Sequence, residues 1–162
     1  MIFLRRHNLF WLLLAALIVV LDQVSKYLVS LYLIPDEMVT VWPFFSLFYI
    51  FNTGAAFSFL ANASGWQGWV FGGLAAVVSL VILRWLVHIP PTGRNATKFA
   101  LMLIMGGAIG NLIDRVVYHY VRDFLYFHWH NFYWPSFNIA DSAICVGAFI
   151  LIFELLQRDA KH

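Results

Sequence analysis

Four stretches of this sequence are long and apolar enough to cross a lipid bilayer as α-helices. They cover residues 10–31, 68–86, 97–113 and 139–156, and a bilayer-spanning helix needs about 20 predominantly apolar residues. Only 11% of the 162 residues are charged and 62% are hydrophobic, whereas a soluble domain carries about 25% charged residues. We therefore predict a mainly α-helical membrane protein with four transmembrane helices, forming one domain over residues 1–162.

A fifth stretch, residues 41–60, has no charged residue and has to be weighed as a further span. Pro43, Asn52 and Gly54 interrupt it, and most residues from 44 to 51 are aromatic or β-branched. Such residues favour strands over helices. We predict strand and interfacial structure folded against the helix ends, with a fifth span as the alternative.

The basic residues are distributed unevenly between the two ends of the predicted bundle. Two of them, Arg115 and Arg122, lie at the end that holds the segment between Leu33 and Gly68, which has no Lys or Arg at all. Seven lie at the other end: Arg5, Arg6, Arg84, Arg94, Lys98, Arg158 and Lys161. Because Lys and Arg are enriched in cytoplasmic segments, we predict that both termini are cytoplasmic. A fifth span would place the termini on opposite sides.

The net charge and the cysteine count exclude other classes of protein. A net charge of +2 gives no reason to expect a nucleic acid partner. A single cysteine excludes an internal disulfide framework and a zinc site made only of cysteines.

Polar and ionisable side chains collect near the outer ends of the apolar stretches. Asp22 and Lys26 are four residues apart in the outer half of the first helix, so they share one helix face. The other members lie in the outer loops or at the outer ends of the third and fourth helices: Asn52, Asn111, Asp114, Arg115, Asp123, Asn138 and Asp141. Ionisable residues within membrane spans are costly and usually functional. We therefore predict that these side chains form one shared site.

Each of these groups also has a purely structural interpretation. Asp22 and Lys26 can form a buried ion pair, and Asp114 with Arg115 can cap the end of the third helix. Asn138 can cap the start of the fourth helix. A shared site is favoured because separate structural roles would require several unrelated polar groups at one membrane depth.

Three histidines, His119, His128 and His130, lie in the second outer connection. Together with Asp123, His128 and His130 offer nitrogen and oxygen ligands for a metal ion. They stand among the aromatic residues of segment 126–134, and such a composition is typical of a belt at the membrane interface. We expect no metal, and we assign the histidines no role.

Five sequence blocks occur in the order that one known family has. They are Asp22-Gln-Val-Ser-Lys26, Asn52-Thr-Gly-Ala-Ala-Phe-Ser58, Gly106-Gly-Ala-Ile-Gly-Asn-Leu-Ile-Asp-Arg115, Val121-Arg-Asp-Phe124 and Phe137-Asn-Ile-Ala-Asp141. Through these blocks the chain resembles the bacterial lipoprotein signal peptidases, also called signal peptidase II. The resemblance covers residues 22–141 and extends to the family's length and four-helix layout.

The resemblance implies an intramembrane aspartic endopeptidase that uses no cofactor. Residue by residue, the catalytic pair corresponds to Asp123 and Asp141. The supporting polar positions correspond to Asp22, Lys26, Asn52, Asn111, Asp114, Arg115 and Asn138. The resemblance also implies a small β-like cradle at the outer face of the membrane, which matches the strand structure predicted for residues 39–60.

The substrate implied by the resemblance is a prolipoprotein that carries diacylglycerol on its lipobox cysteine, with cleavage immediately before that cysteine. The resemblance further implies inhibition by globomycin-type peptides. The expected location is the bacterial cytoplasmic (inner) membrane, with the active site near the outer face, and we expect a monomer that contacts membrane lipid.

Two other classes of function remain as alternatives. A proton- or ion-coupled transporter also uses intramembrane carboxylates, although the sequence has no inverted repeat of the kind that many transporters contain. A membrane scaffold held together by polar contacts is the third class, and in a scaffold Asp123 would have no role.

Overall fold

The computed structural model describes residues 6–54, 66–90, 92 and 94–159. Within them, four helices and four strands follow one another along the chain. They are α1 (Arg6–Tyr32), β1 (Met38–Trp42), β2 (Phe45–Asn52), α2 (Trp66–His88), α3 (Asn95–Tyr118), β3 (Val121–Trp129), β4 (Phe132–Tyr133) and α4 (Ile139–Asp159).

The four predicted transmembrane helices are confirmed, and each is longer than the sequence indicated. All four are long and apolar enough to cross a membrane. Helix α3 continues to Tyr118 instead of ending near residue 113, and His119 caps it in a left-handed conformation by donating its backbone N–H to the carbonyl of Arg115. Asp114 and Arg115 therefore lie inside the helix, and the interpretation of this pair as a helix end-cap is wrong.

Some sequence predictions fall outside the described residues. These are the positions of Arg5 and Lys161, and residues 55–60 of the fifth apolar stretch. The second and third apolar stretches form separate helices, because α2 ends at His88 and α3 begins at Asn95.

A four-stranded antiparallel sheet lies at one end of the helix bundle, with strand order β1-β2-β3-β4. The strands predicted within residues 39–52 are confirmed as β1 and β2. Strands β3 and β4 were not predicted, since this segment was interpreted as a loop that contains Asp123. Asp123 instead lies on β3, opposite Ile50 of β2. The sheet is therefore built from two separate parts of the chain.

Helix α3 lies between α1 and α4, and glycines allow the close approach on both sides. A Cβ atom at Gly106 would lie 2.8 Å from the carbonyl oxygen of Ala15 on α1, and one at Gly107 would collide with the carbonyl of Ala140 on α4. A Cβ atom at Gly110 would lie 2.6 Å from the carboxylate of Asp22. Small residues at such positions let helix backbones pack closely in membranes. This packing brings the polar groups of α1, α3 and α4 together.

Candidate active site

The nine predicted site residues meet at the end of the bundle that carries the sheet. They come from the second half of α1, the last two turns of α3, the start of α4, and the strands β2 and β3. Hydrogen bonds and ion pairs connect them into one network, and each is buried or half-buried: Asp22, Lys26, Asn52, Asn111, Asp114, Arg115, Asp123, Asn138 and Asp141. The structure therefore brings all nine of these side chains together.

Asp123 is a buried carboxyl group, with only 1% of the residue exposed. Its two oxygens accept hydrogen bonds from the side-chain amides of Asn52, at 2.8 Å, and Asn138, at 2.7 Å. Burial, and next the negative charge of Asp141, raise the pKa of Asp123 to about 7, although the two amide bonds act in the opposite direction. Asp123 therefore retains a proton at pH values where an ordinary carboxyl group is ionised.

Asp141 lies in the first turn of α4, where it completes a reciprocal cap with Asn138. The backbone N–H of Asp141 donates to the side-chain oxygen of Asn138 at 2.9 Å, and the backbone N–H of Asn138 donates to the carboxylate of Asp141 at 3.2 Å. This is the arrangement of a capping box. The predicted helix cap at Asn138 is confirmed, and it coexists with the shared site.

A chain of side-chain hydrogen bonds links the two carboxyl groups. Asn111 donates to Asp141 at 2.8 Å and accepts from the amide nitrogen of Asn138 at 3.2 Å. The same amide nitrogen of Asn138 donates to Asp123. Two asparagines, one on α3 and one immediately before α4, therefore hold both carboxyl groups in a fixed relation.

Next to Asn111 lies a layer of charged residues, which consists of Asp22, Lys26 and Asp114. The Lys26 ammonium is fully buried, 2.8 Å from Asp22 and 3.4 Å from Asp114, so the predicted pairing with Asp22 is confirmed. Lys26 also donates to the side-chain oxygen of Asn111 at 2.9 Å. An ammonium group is only a donor, so this bond fixes the orientation of the Asn111 amide and turns its nitrogen toward Asp141.

Asp22 connects this layer to α4. Its second carboxylate oxygen accepts a hydrogen bond from the backbone N–H of Ala140 at 2.9 Å. A carboxylate at this point satisfies one of the free N–H groups at the start of the helix and complements the helix dipole. The start of α4, and with it Asp141, is thus held directly by α1.

Arg115 lies close to the pair without bonding to it. Its guanidinium group donates to the backbone carbonyl of Asn111 at 3.4 Å and lies 5.7 Å from the ring of Phe71. Its positive charge interacts with Asp123 and Asp141 through space. Arg115, one of the supporting positions that the resemblance implies, therefore acts on the two carboxyl groups through its charge and not through a hydrogen bond.

Two residues of the network were not assigned a role from the sequence, Gln23 and Arg122. Arg122 pairs with Asp114 at 2.7 Å, and Gln23 bonds to both partners of that pair. Features of the sequence could have indicated a role for both residues. Gln23 is a polar residue inside the first apolar stretch, and Arg122 directly precedes Asp123.

The three histidines have other surroundings. His128 lies 2.9 Å from the hydroxyl of Ser46 on β2, His119 caps α3, and His130 occupies the tight turn between β3 and β4 with a φ of 51°. Among the described residues, His, Cys, Asp and Glu form no group of three that could hold a metal ion.

The two carboxyl groups can perform acid–base chemistry as a pair. When one of two interacting carboxyl groups is protonated and the other ionised, the first can donate a proton while the second accepts one. The titration of such a pair belongs to both groups together. The raised pKa of Asp123, about 7, suits this carboxyl group to the protonated role.

Comparison with protein families identifies one match over most of the chain. The family model of signal peptidase II matches residues 14–157. The lipoprotein signal peptidase of Cupriavidus pinatubonensis is 49% identical over 166 residues, which cover 98% of this chain and 93% of that protein. The lipoprotein signal peptidase of Alteromonas mediterranea is 48% identical over 161 residues, covering 97% and 86% of the two chains.

Solved structures agree with the match in sequence. A bacterial membrane enzyme solved by the in meso method at 2.3 Å resolution superposes with a TM-score of 0.83 at 28% identity, over 93% of this chain and 90% of that one. A second bacterial membrane enzyme, solved at 1.9 Å, gives a TM-score of 0.79 at 26% identity, over 90% and 92%.

Proposed function

Because the chain belongs to the signal peptidase II family, it removes signal peptides from prolipoproteins, and we propose that it does so as an aspartic endopeptidase whose catalytic pair is Asp123 and Asp141. The observation that carries this proposal is the pair itself: two buried or half-buried carboxyl groups from different elements, joined through Asn138 and Asn111.

The reaction uses one ionised and one protonated carboxyl group. Asp141 in its ionised form takes a proton from water, and the resulting hydroxide attacks the scissile carbonyl carbon. Asp123 donates its proton to the carbonyl oxygen as the tetrahedral intermediate forms. Asp141 then gives the proton it took to the leaving amine, and Asp123 recovers its own proton as the carbonyl of the new carboxyl group forms. The raised pKa of Asp123 supports this division of roles.

Asn52, Asn111 and Asn138 hold the pair. Lys26 holds Asn111, Asp22 holds the start of α4, and Asp114 pairs with Lys26 and Arg122. Arg115 contributes positive charge close to both carboxyl groups. Each of these assignments follows from the bonds described above, and none of these residues exchanges a proton in the proposed reaction.

The proposed substrate carries diacylglycerol on the lipobox cysteine, and cleavage occurs immediately before that cysteine. The position of the pair at the ends of membrane-spanning helices supports a lipid-bearing substrate, because the acyl chains can stay in the bilayer during cleavage. Withdrawing them into water would cost about 0.8 kcal/mol for each CH₂ group. Globomycin-type peptides are the proposed inhibitors, and the proposed active unit is a monomer.

The proposed orientation places both termini in the cytoplasm and the active site near the outer face of the inner membrane. Arg84 and Arg94 lie at the end of the bundle opposite the site, in agreement with the enrichment of basic residues on the cytoplasmic side. At the site end, Trp129 and Phe132 are more than 60% exposed. Exposed aromatic side chains of this kind suit a membrane interface.

The transporter alternative has no support. The family is one of peptidases, and the buried core between the two ends of the bundle is apolar, with Ala15, Leu101, Met102 and Met105 among its members.

Cleavage of a defined precursor tests the proposed substrate. Purified protein in detergent should cut a prolipoprotein that carries diacylglycerol on its lipobox cysteine, and the product should begin with the lipidated cysteine. The same precursor without the lipid is the control, and we expect it to be cut at least tenfold more slowly. Equal cleavage of both forms would contradict the proposed role of the lipid.

A further inference from the structure

Arg122 is buried one residue before Asp123, on the opposite face of β3. Only 5% of Arg122 is exposed. Successive side chains of a strand point to opposite faces, and here Arg122 contacts α1 and α3 while Asp123 contacts Asn52 and Asn138. A displacement of Arg122 would therefore move Asp123 directly.

Asp114 of α3 holds both the backbone and the side chain of Arg122. Its carboxylate lies 2.7 Å from Nη2 and 3.2 Å from Nε, and it accepts the backbone N–H of Arg122 at 3.0 Å. Bidentate bonds between a guanidinium and a carboxylate fix geometry as well as adding energy. The start of β3 is thereby fixed on α3.

Gln23 of α1 forms hydrogen bonds with both Asp114 and Arg122. Its side-chain nitrogen donates to Asp114 at 3.1 Å and to the backbone carbonyl of Gly110 at 3.0 Å, and its oxygen accepts from Arg122 at 3.2 Å. The ring of Tyr118 lies 4.4 Å from the Arg122 guanidinium, within the range of a cation–π contact. We call Gln23, Asp114 and Arg122 the β3 clamp.

The β3 clamp also contributes to the charge balance of the buried ion pairs next to the active site. Asp22 and Asp114 carry two negative charges, and Lys26 and Arg122 carry the two positive charges that pair with them. Without Arg122, the buried Lys26 ammonium would be the one remaining ion-pair partner of the two carboxylates. Removing one partner of a buried pair leaves an uncompensated charge, here a negative one close to the catalytic pair.

We propose that Arg122 is a positioning residue for the reaction, which acts through Asp114 and Gln23 to hold Asp123 in its catalytic position. The proposal rests on the catalytic role proposed for Asp123. Arg122 itself touches neither the substrate nor the reacting atoms, so its loss should lower kcat and leave KM nearly unchanged. Misplacement of a catalytic group by about 1 Å can cost about 100-fold in rate.

The charge of Arg122 provides a second, independent measurement. The charged groups that act on Asp123 are Asp141 on α4 and Lys26 on α1, and the charge of Arg115 on α3 interacts with it as well. Arg122→Gln removes a positive charge from the residue directly before Asp123, and the loss of a nearby positive charge raises the pKa of a carboxyl group. The alkaline decline of kcat should then move to higher pH, whereas Arg122→Lys should keep it where the wild-type protein has it.

The test compares Arg122→Gln, Arg122→Lys and the exposed control Arg84→Gln in cleavage of a lipidated precursor across pH. We expect a 10- to 100-fold loss of kcat with Arg122→Gln, an upward shift of its alkaline limb, partial recovery with Arg122→Lys, and wild-type behaviour of Arg84→Gln. A wild-type kcat in Arg122→Gln would overturn the proposal. So would a loss of activity whose alkaline limb has not moved.

Two further variants keep the test decisive. If Arg122→Gln does not fold, Gln23→Met removes the bridging amide, together with the bond that this amide donates to Asp22 at 3.1 Å. It should lower kcat several-fold at constant KM, and a wild-type kcat in Gln23→Met would overturn the proposal. Asp123→Asn is measured in parallel. Activity in Asp123→Asn would reject the catalytic pair, whereas an inactive Asp123→Asn beside an unaffected Arg122→Gln would reject the positioning role alone.

Discussion

The side-chain amide of Asn138 donates a 2.7 Å hydrogen bond to the carboxyl group of Asp123. The same residue caps α4 through its side-chain oxygen, which accepts the backbone N–H of Asp141. One asparagine thus links a strand residue to the start of a helix, and both proposed catalytic groups take their positions from it.

Substitution of Asn138 separates helix capping from positioning. Asn138→Ala removes both, so it should lower the free energy of unfolding by about 1 kcal/mol and kcat by tenfold or more. Asn138→Ser keeps a good capping oxygen and loses the amide that reaches Asp123. It should therefore recover the stability of the wild-type protein without recovering kcat. Thermal unfolding in detergent and steady-state cleavage measure the two effects, and recovery of kcat in Asn138→Ser would contradict the positioning role.

Activity should fall as the pH rises above neutrality. Asp123 has a pKa of about 7 and donates a proton in the proposed reaction, so its protonated fraction, and with it kcat, should decline through that pH. A pH profile of kcat on a lipidated precursor measures this. A kcat that stays constant from pH 6 to pH 9 would contradict the assignment of the proton to Asp123.

The same pKa has a consequence for stability. In the unfolded chain a carboxyl group loses its proton near pH 4, whereas Asp123 keeps its proton up to about pH 7 in the folded protein. The folded state therefore binds more protons between these values, and its stability should decrease as the pH rises through this window. Thermal unfolding at pH 5, 6, 7 and 8 checks the direction, and Asp123→Asn should show a weaker dependence on pH.

Much of this arrangement could be predicted from the sequence, for physical reasons that particular residues illustrate. Membrane spans are predictable because length and apolar composition suffice. Helix direction predicts that Asp22, Lys26 and Asp141 lie at the same end of the bundle, and the structure brings them together there. Strand β3 was not predicted, because Arg122 and Asp123 interrupt its apolar character and resemble a solvated loop.

The partner of Asp114 could not be predicted either. Neighbouring residues on a helix do not face each other, so Asp114 cannot pair easily with Arg115 despite their adjacency. It pairs with Arg122, which a separate strand brings to it. Which of two arginines fills such a place depends on how β3 docks on α3, and that is a property of the tertiary structure.

Activity should not depend on a metal ion. Prolonged treatment with EDTA should leave cleavage of a lipidated precursor unchanged, because two carboxyl groups suffice for the proposed reaction. The double variant His128→Ala/His130→Ala should keep most of the activity, since His128 contacts Ser46 and His130 lies in a turn. Loss of activity on chelation, with recovery on addition of zinc, would contradict this prediction and would indicate a metal-dependent reaction.

Reporter fusions test the proposed orientation in the membrane. Fusions after Asp36, Pro91, Phe127 and His162 should report outer, inner, outer and inner locations in that order, because the proposed orientation has four membrane crossings and cytoplasmic termini. An outer location at His162 would require an odd number of spans and would contradict the proposed placement of the active site.

The central claim is that Asp123 and Asp141 together cleave the signal peptide, and single-turnover cleavage of a lipidated prolipoprotein by the purified variants tests it most directly. Asp123→Asn and Asp141→Asn should each lower the rate of cleavage by at least about 1,000-fold, since each removes half of one acid–base pair. Asp36→Asn, which changes an exposed carboxyl group at the same end of the molecule, should cleave at the wild-type rate. A folded Asp123→Asn or Asp141→Asn protein that cleaves at nearly the wild-type rate would contradict the claim.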